Sequence, residues 1–298
     1  MDKIIHDRIK NLNTDEDIYK FVEERIKELE KNVIEKTVGQ EYTDSFTDFI
    51  SSKIHYKPVA RYKGKDTADL VYDDYTPYIE VIRQIRNVMY SELYTFNEIF
   101  YCISDYLPND DPLGIMRGAI YALSGKDRVS IKEIKEDKCA LCSEKAGLAH
   151  NIFKILGIDS KWVSGYRDSE PHAFNIIYPN GYENGPMILF DPSHFVSFKN
   201  QNNKYSVGYF VAMAEELYKK LENGNPYKVS LEKTESFYRQ AFGLDSSYEF
   251  EGDEAEYIIG LENKKAKDGP YSQIREEDWI FKAQMENGLE PDNEKIIS

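Results

Sequence analysis

Cysteine is scarce in this chain, three in 298 residues, and three thiols cannot build the disulfide framework of a small secreted domain. Long apolar runs are missing too. No stretch has the length to span a membrane, and the N-terminus, MDKIIHDRIKNLNTDEDIYKF, lacks the apolar core of a signal peptide. Positive charge is in deficit: 38 Lys and Arg against 53 Asp and Glu leave a formal net charge of −15. Nucleic acid and anionic membrane would both be repelled, so neither is an expected partner. The sequence has no EF-hand-like loop, no second Cys-x-x-Cys, no paired-histidine motif and no internal repeat. These absences leave a cytoplasmic protein as the expectation, with no cofactor and no metal. Its length suffices for one large domain or two modest ones. Tyrosine is abundant, 23 residues spread along the chain, which suits half-buried surfaces without marking a site.

The informative stretch runs from Lys138 to Ser193. It opens KCALCSEKAGLAHNIFKILGIDSKWVSGY, continues to EPHAFNIIYPNG and closes ILFDPS. Leu148, Ile152 and Ile155, with Ala149, Phe153 and Leu156, recur at spacings of three to four and predict an amphipathic helix over 143–156, stopped by Gly157. Cys142 falls at its N-terminal edge, where unpaired amides and the helix dipole favour a thiolate over a thiol. Three β-prone runs follow, 161–166, 173–178 and 187–190. In an antiparallel arrangement His172 starts the second and Asp191 ends the third, so the two side chains meet. Cys142, His172 and Asp191 are then a thiol nucleophile, its base and the group that orients the base.

These residues resemble the core of the transglutaminase-like superfamily, the papain-related fold with a Cys-His-Asp triad. The matching elements are Cys142, Ala146, Leu156-Gly157-Ile158, Gly165-Tyr166, His172-Ala173-Phe174 and Asp191-Pro192-Ser193. Counting back from Leu-Gly-Ile selects Cys142 over Cys139. Ala140 departs from the glycine often found two residues before the nucleophile, and Cys139 is a thiol the pattern does not require. The resemblance implies an α+β fold, with a nucleophile helix packed on an antiparallel sheet. It implies a peptide or protein substrate attacked through a Cys142 thioester. Water or an amine resolves that thioester, giving a protease or amidase in the first case and a protein-glutamine transglutaminase in the second. Hydrolysis is the expectation. The superfamily also contains scaffolds without the triad, and retention of all three residues favours an enzyme.

The remainder of the chain frames this core. Residues 1–110 read as a helical N-terminal region, 111–225 as the catalytic core and 226–298 as an acidic C-terminal extension packing on it. Ile18, Phe21, Val22, Arg25, Ile26 and Leu29 form one stripe, opened by a capping box at Thr14 and Asp17. The stripe is too short for several heptads, so docking onto the rest of the chain is expected over a coiled-coil partner. The N-terminal helices are nonetheless one place where a protein partner would bind. SFTDFISSKIHY reads as helix and the segment from Lys57 to Asp74 as a loop; His55 has no role. Helix is expected over 77–107, with Cys102 as a buried hydrophobe, and again over 114–123. Past Asp191, HFVSF and YSVGYFVAM form a hairpin, with His194 lining the cleft. AEELYKKLENG, TESFYRQAFGL and EEDWIFKAQMENGL are helical segments.

Two rival readings of Cys139-x-x-Cys142 are weak. Zinc would need four ligands, and even with His150 or His172 no second cysteine pair completes the set. A thioredoxin-like redox pair would follow a buried strand, whereas SIKEIKEDK is too charged for one.

Overall fold

The computed structural model describes residues 3–37, 51–52, 69–89, 91–108, 128–167, 170–179, 187–201, 203–213, 227–251 and 257–259. It is mixed α+β, several helices against an antiparallel sheet. The expected helices over 114–123, 214–224 and 276–289 lie outside the described residues, as does His55.

The N-terminal region is two helices, α1 (Lys3–Lys10) and α2 (Asp15–Thr37). The break between them is the capping box. The Asp17 amide donates to the Thr14 hydroxyl at 3.1 Å, and the Thr14 amide donates back to the Asp17 carboxylate at 2.9 Å. Ile18, Phe21, Val22 and Ile26 are buried, as their spacing requires. The stripe's one charged member serves a different purpose. Arg25 donates from Nε to the Ile155 carbonyl at 3.1 Å and from Nη2 to the Lys154 carbonyl at 3.4 Å. Both carbonyls end the helix α6 (Cys142–Ile155), where a cation complements the dipole.

The region read as helix over 77–107 is also two elements, α3 (Thr76–Ile85) and α4 (Glu92–Tyr106), the second opened by Ser91, whose hydroxyl accepts from the Tyr94 amide. Ser51–Ser52 is a short strand, β1, where helix was expected, and the expected loop contains β2 (Asp69–Val71). β1 pairs antiparallel with β2, and β2 pairs parallel with β3 (Arg128–Ser130). Strands of two or three residues carry no alternation to read, which is why the sequence hid them.

The main sheet has seven strands. It comprises β4 (Asp159–Arg167), β5 (Glu170–Tyr178), β6 (Met187–Asn200), β7 (Asn203–Met213), β8 (Tyr227–Val229), β9 (Glu249–Glu251) and β10 (Tyr257–Ile259). Its order is β7-β6-β5-β4-β10-β8, with β9 on β6, and every pairing is antiparallel. The expected hairpin is present as β6–β7, but Asp191 does not end its strand. β6 continues to Asn200 with a register shift between Asp191 and Phe195.

α6 lies across β4, β5 and β6, and α4 packs on α6 and the β6–β7 side of the sheet. Phe153 of α6 meets Phe190 of β6 edge-on at 5.1 Å and Phe96 of α4 at 6.3 Å. Gly208 admits α4 to the sheet: a Cβ there would stand 2.3 Å from the Phe100 ring. The helix α7 (Leu231–Phe242) closes the far edge, with the buried Tyr238 hydroxyl on the Gly208 carbonyl.

Candidate active site

Two consecutive helix boundaries deliver Cys142. The helix α5 (Ile131–Glu136) begins at Ser130 with a full capping box. It ends with Lys138 in the left-handed region at φ 52°, its amide on the Lys135 carbonyl and the Cys139 amide on the Ile134 carbonyl. This is the Schellman arrangement with lysine where glycine is usual. The turn buries Cys139 completely, its Sγ 3.8 Å from the Ile134 carbonyl. Three residues later Cys142 opens α6, half-buried. Leu141, in the N-cap position, gives no side-chain cap; Glu144 instead accepts from the Leu141 amide at 2.8 Å. A second Schellman turn, at Gly157 (φ 64°), ends α6 and sends the chain into β4.

α6 is held in register from both sides. Asn175 of β5, fully buried, donates to the Ala146 carbonyl at 3.0 Å, and the His150 ring shares a 2.7 Å hydrogen bond with Ser160 of β4. Burial drives the His150 pKa down to about 3, with Lys154 adding to the effect, so it is a neutral core residue. Tyr72 approaches Gly147 hydroxyl-first and donates to the Glu144 carbonyl at 3.3 Å.

The antiparallel pairing of β5 with β6, in register at Asn175 and Phe190, brings His172 and Asp191 together. His172 Nε2 stands 2.7 Å from Asp191 Oδ2. The carboxylate is fully buried and receives three further donors: the Ser193 hydroxyl at 2.6 Å and amide at 2.9 Å on Oδ1, and the Tyr257 hydroxyl at 2.7 Å on Oδ2. The Ser193 hydroxyl also lies 3.3 Å from His172 Nε2. Cys142, at the mouth of α6, lies near enough to His172 to favour the charged form of its ring. Asp191 occupies Nε2, which leaves Nδ1 for the thiol.

The electrostatics follow from the burial. Burial alone would lower the His172 pKa, but the Asp191 charge and hydrogen bond, helped by Cys142, overcome it and raise it to about 10. Burial would raise the Asp191 pKa, and His172 with the Ser193 donors reverse that and hold it well below the carboxylate range. The pair is therefore imidazolium and carboxylate at neutral pH.

The structure thus pairs His172 with Asp191 and sets Cys142 in their neighbourhood. It leaves Cys139 outside, buried, and Cys102 in α4, where burial pushes the thiol up to about 12. His194 is buried beside the site, its ring 6.3 Å from Tyr257 and its Nε2 3.5 Å from Arg167 Nη2. Among the described residues no group of His, Cys, Asp or Glu has metal-site geometry, and no helix is long and apolar enough to cross a membrane. Two participants escaped sequence reasoning. Ser193 was legible only as part of Asp-Pro-Ser; Tyr257 sits in EYIIG, an apolar run within an acidic region that could have been read as a strand. The chain matches no protein-family model, no curated protein and no solved structure.

Proposed function

We propose that this protein is a cysteine-dependent acyl-transfer enzyme with a papain-like core of the transglutaminase-like kind, hydrolysing an amide bond in a peptide or protein. One observation carries the reading: a half-buried cysteine at a helix N-terminus neighbours an imidazole that is paired, at 2.7 Å, with a fully buried carboxylate. A buried ion pair is expensive to maintain, and a catalytic imidazole beside a thiol is a reason to maintain one.

In the reaction, Cys142 Sγ attacks the carbonyl carbon of the amide; the C–S bond forms as the carbonyl π electrons move to oxygen. The Cys142 amide, at the uncapped start of α6, donates to that oxyanion. The intermediate collapses, the C–N bond breaks, and His172 gives its proton to the departing amine. Neutral His172 then takes a proton from water as the water oxygen attacks the thioester. The C–S bond breaks, releasing the acid and the Cys142 sulfur, and the proton taken from water remains on His172, as at the start. Asp191 holds the ring and its charge throughout.

The reading is tested by alkylating the full chain with iodoacetamide across pH and mapping the modified peptides. Selective reaction of Cys142 below pH 8, lost in His172→Ala, is the expected result. Slow, equal labelling of all three cysteines in the native chain would sink the enzymatic reading. Cys142→Ala abolishes hydrolysis of a responsive peptide library, and Cys139→Ala leaves most of it; the reverse result would move the nucleophile to Cys139.

A further inference from the structure

The hydroxyl of Tyr257 is donated to the same carboxylate oxygen that receives His172, Asp191 Oδ2, at 2.7 Å. Tyr257 is fully buried, its ring 5.9 Å from that of His172 and 5.9 Å from Phe174, both edge-on. It comes from β10, two strands away from β5, with β4 between. Opposite His172 on that intervening strand stands Gly165, which puts no side chain in the way. A buried tyrosine needs a partner for its hydroxyl, but a backbone carbonyl would serve as well. Here the partner is the one charged group that fixes the orientation of the imidazole.

We propose that Tyr257 is a positioning residue of the site, acting through Asp191. Ser193 anchors Oδ1 and Tyr257 anchors Oδ2, so the carboxylate is clamped at both oxygens and its plane is set before His172 binds it. The imidazole then has one orientation in which Nε2 meets Oδ2, and that orientation presents Nδ1 to Cys142. Without the Tyr257 hydroxyl, Oδ2 has the ring as its single anchor among the described residues, and the carboxylate, still held at Oδ1 by Ser193, is less firmly fixed at the oxygen that meets the ring. Among the described residues, the other charged or titratable groups near the pair include Cys142 at the start of α6, and Arg167 of β4 and His194 of β6, which contact one another at 3.5 Å. The segment read as an acidic extension therefore supplies part of the catalytic machinery. This inference rests on the acyl-transfer reading of the site.

The test is Tyr257→Phe in the full chain, which keeps the ring and its packing and removes only the donor. Two quantities are read: the rate of Cys142 alkylation by iodoacetamide at pH 7, and the Nε2 proton resonance of His172 in protein labelled with ¹⁵N-histidine. Alkylation should slow about tenfold, the scale of one hydrogen bond to a charged group. The His172 proton should shift and exchange faster with solvent. A folded Tyr257→Phe protein with wild-type alkylation and an unmoved proton would overturn the proposal, because a tyrosine present only for packing behaves that way. Should the variant fail to fold by circular dichroism, 3-fluorotyrosine incorporated at position 257 keeps the hydroxyl and strengthens it as a donor. The His172 proton must then shift in the intact protein, and an unmoved resonance refutes the role. Wild-type Cys142 that reacts no faster than Cys102, with or without His172, would instead fell the acyl-transfer reading and this one with it. His172-dependent reactivity that ignores position 257 would remove Tyr257 alone.

Discussion

Replacing Asp191 by asparagine preserves the shape of the side chain and deletes the charge on which the site is balanced. Two unit charges 2.7 Å apart, the His172–Asp191 separation, attract by about 6 kcal/mol at an effective dielectric of ~20, before the desolvation of either is subtracted. Breaking a buried pair by removing one partner costs about 3–5 kcal/mol. A second route gives the same scale: holding a histidine at about 10 instead of 6.5 corresponds to about 5 kcal/mol, part of it owed to Cys142. The pH dependence is the sharper signature. His172 is raised in the folded state, so its contribution is complete below pH 6.5 and is lost as the pH climbs towards 10. Asp191 is depressed, so its contribution is present above pH 3.8 and is lost on acidification through its lower folded value. Asp191→Asn has neither. The gap between wild type and variant in urea denaturation should therefore be widest near pH 5, at about 3–5 kcal/mol. Above pH 6.5 it should narrow by roughly 1.4 kcal/mol per pH unit, since the unfolded chain releases a proton that the native state keeps. A gap that stays constant from pH 5 to pH 9.5 would show that no ion pair is being lost and would refute the reasoning.

Gly147→Ala places a Cβ 1.9 Å from the Tyr72 hydroxyl; it should destabilise the chain by about 1–3 kcal/mol in urea denaturation, as overpacking does. Adding Tyr72→Phe, which removes the oxygen, should restore part of that loss, and no recovery would place the strain elsewhere. Cys102, its thiol pushed up to about 12 by burial, should resist iodoacetamide at pH 8 in native protein and react only in denaturant. Native labelling at the rate of Cys142 would contradict its burial.

Local pattern carried the core of the site. The apolar spacing from Leu148 to Leu156, with Gly157 as its stop, located α6 to within a residue at its start and placed Cys142 at its mouth. The β-prone runs beginning near Lys161, Ala173 and Met187 located β4, β5 and β6. These succeed because each element is long enough to show its period and buries the face that the period defines. The same method reported Arg25 as part of an apolar stripe without seeing its purpose. Its guanidinium sits on that face to reach the last carbonyls of a helix some 130 positions away in sequence, and no local window contains both partners.

In the C-terminal region the helix expected at TESFYRQAFGL is present as α7, but the strands were missed, for a related physical reason. β8, β9 and β10 have three residues each and pair with strands distant in sequence, β10 with β4 through Tyr257–Arg167 and β9 with β6 through Phe250–Phe198. Such strands are stable because a preformed edge supplies their hydrogen bonds, not because their own sequence demands extension. The consequence is chemical as well as architectural. Asp191 lies where β6 loses register with β7, so its oxygens are served by side chains and by the folded-back Ser193 amide, not by a sheet partner. An irregular point in a long strand can hold a buried charge only if enough donors converge on it. Two of the four donors, both from Ser193, come from the residues just after the irregularity; a third, from His172, comes from the neighbouring strand. The fourth must come from across the sheet, and the strand that brings it is the one whose sequence looked least organised.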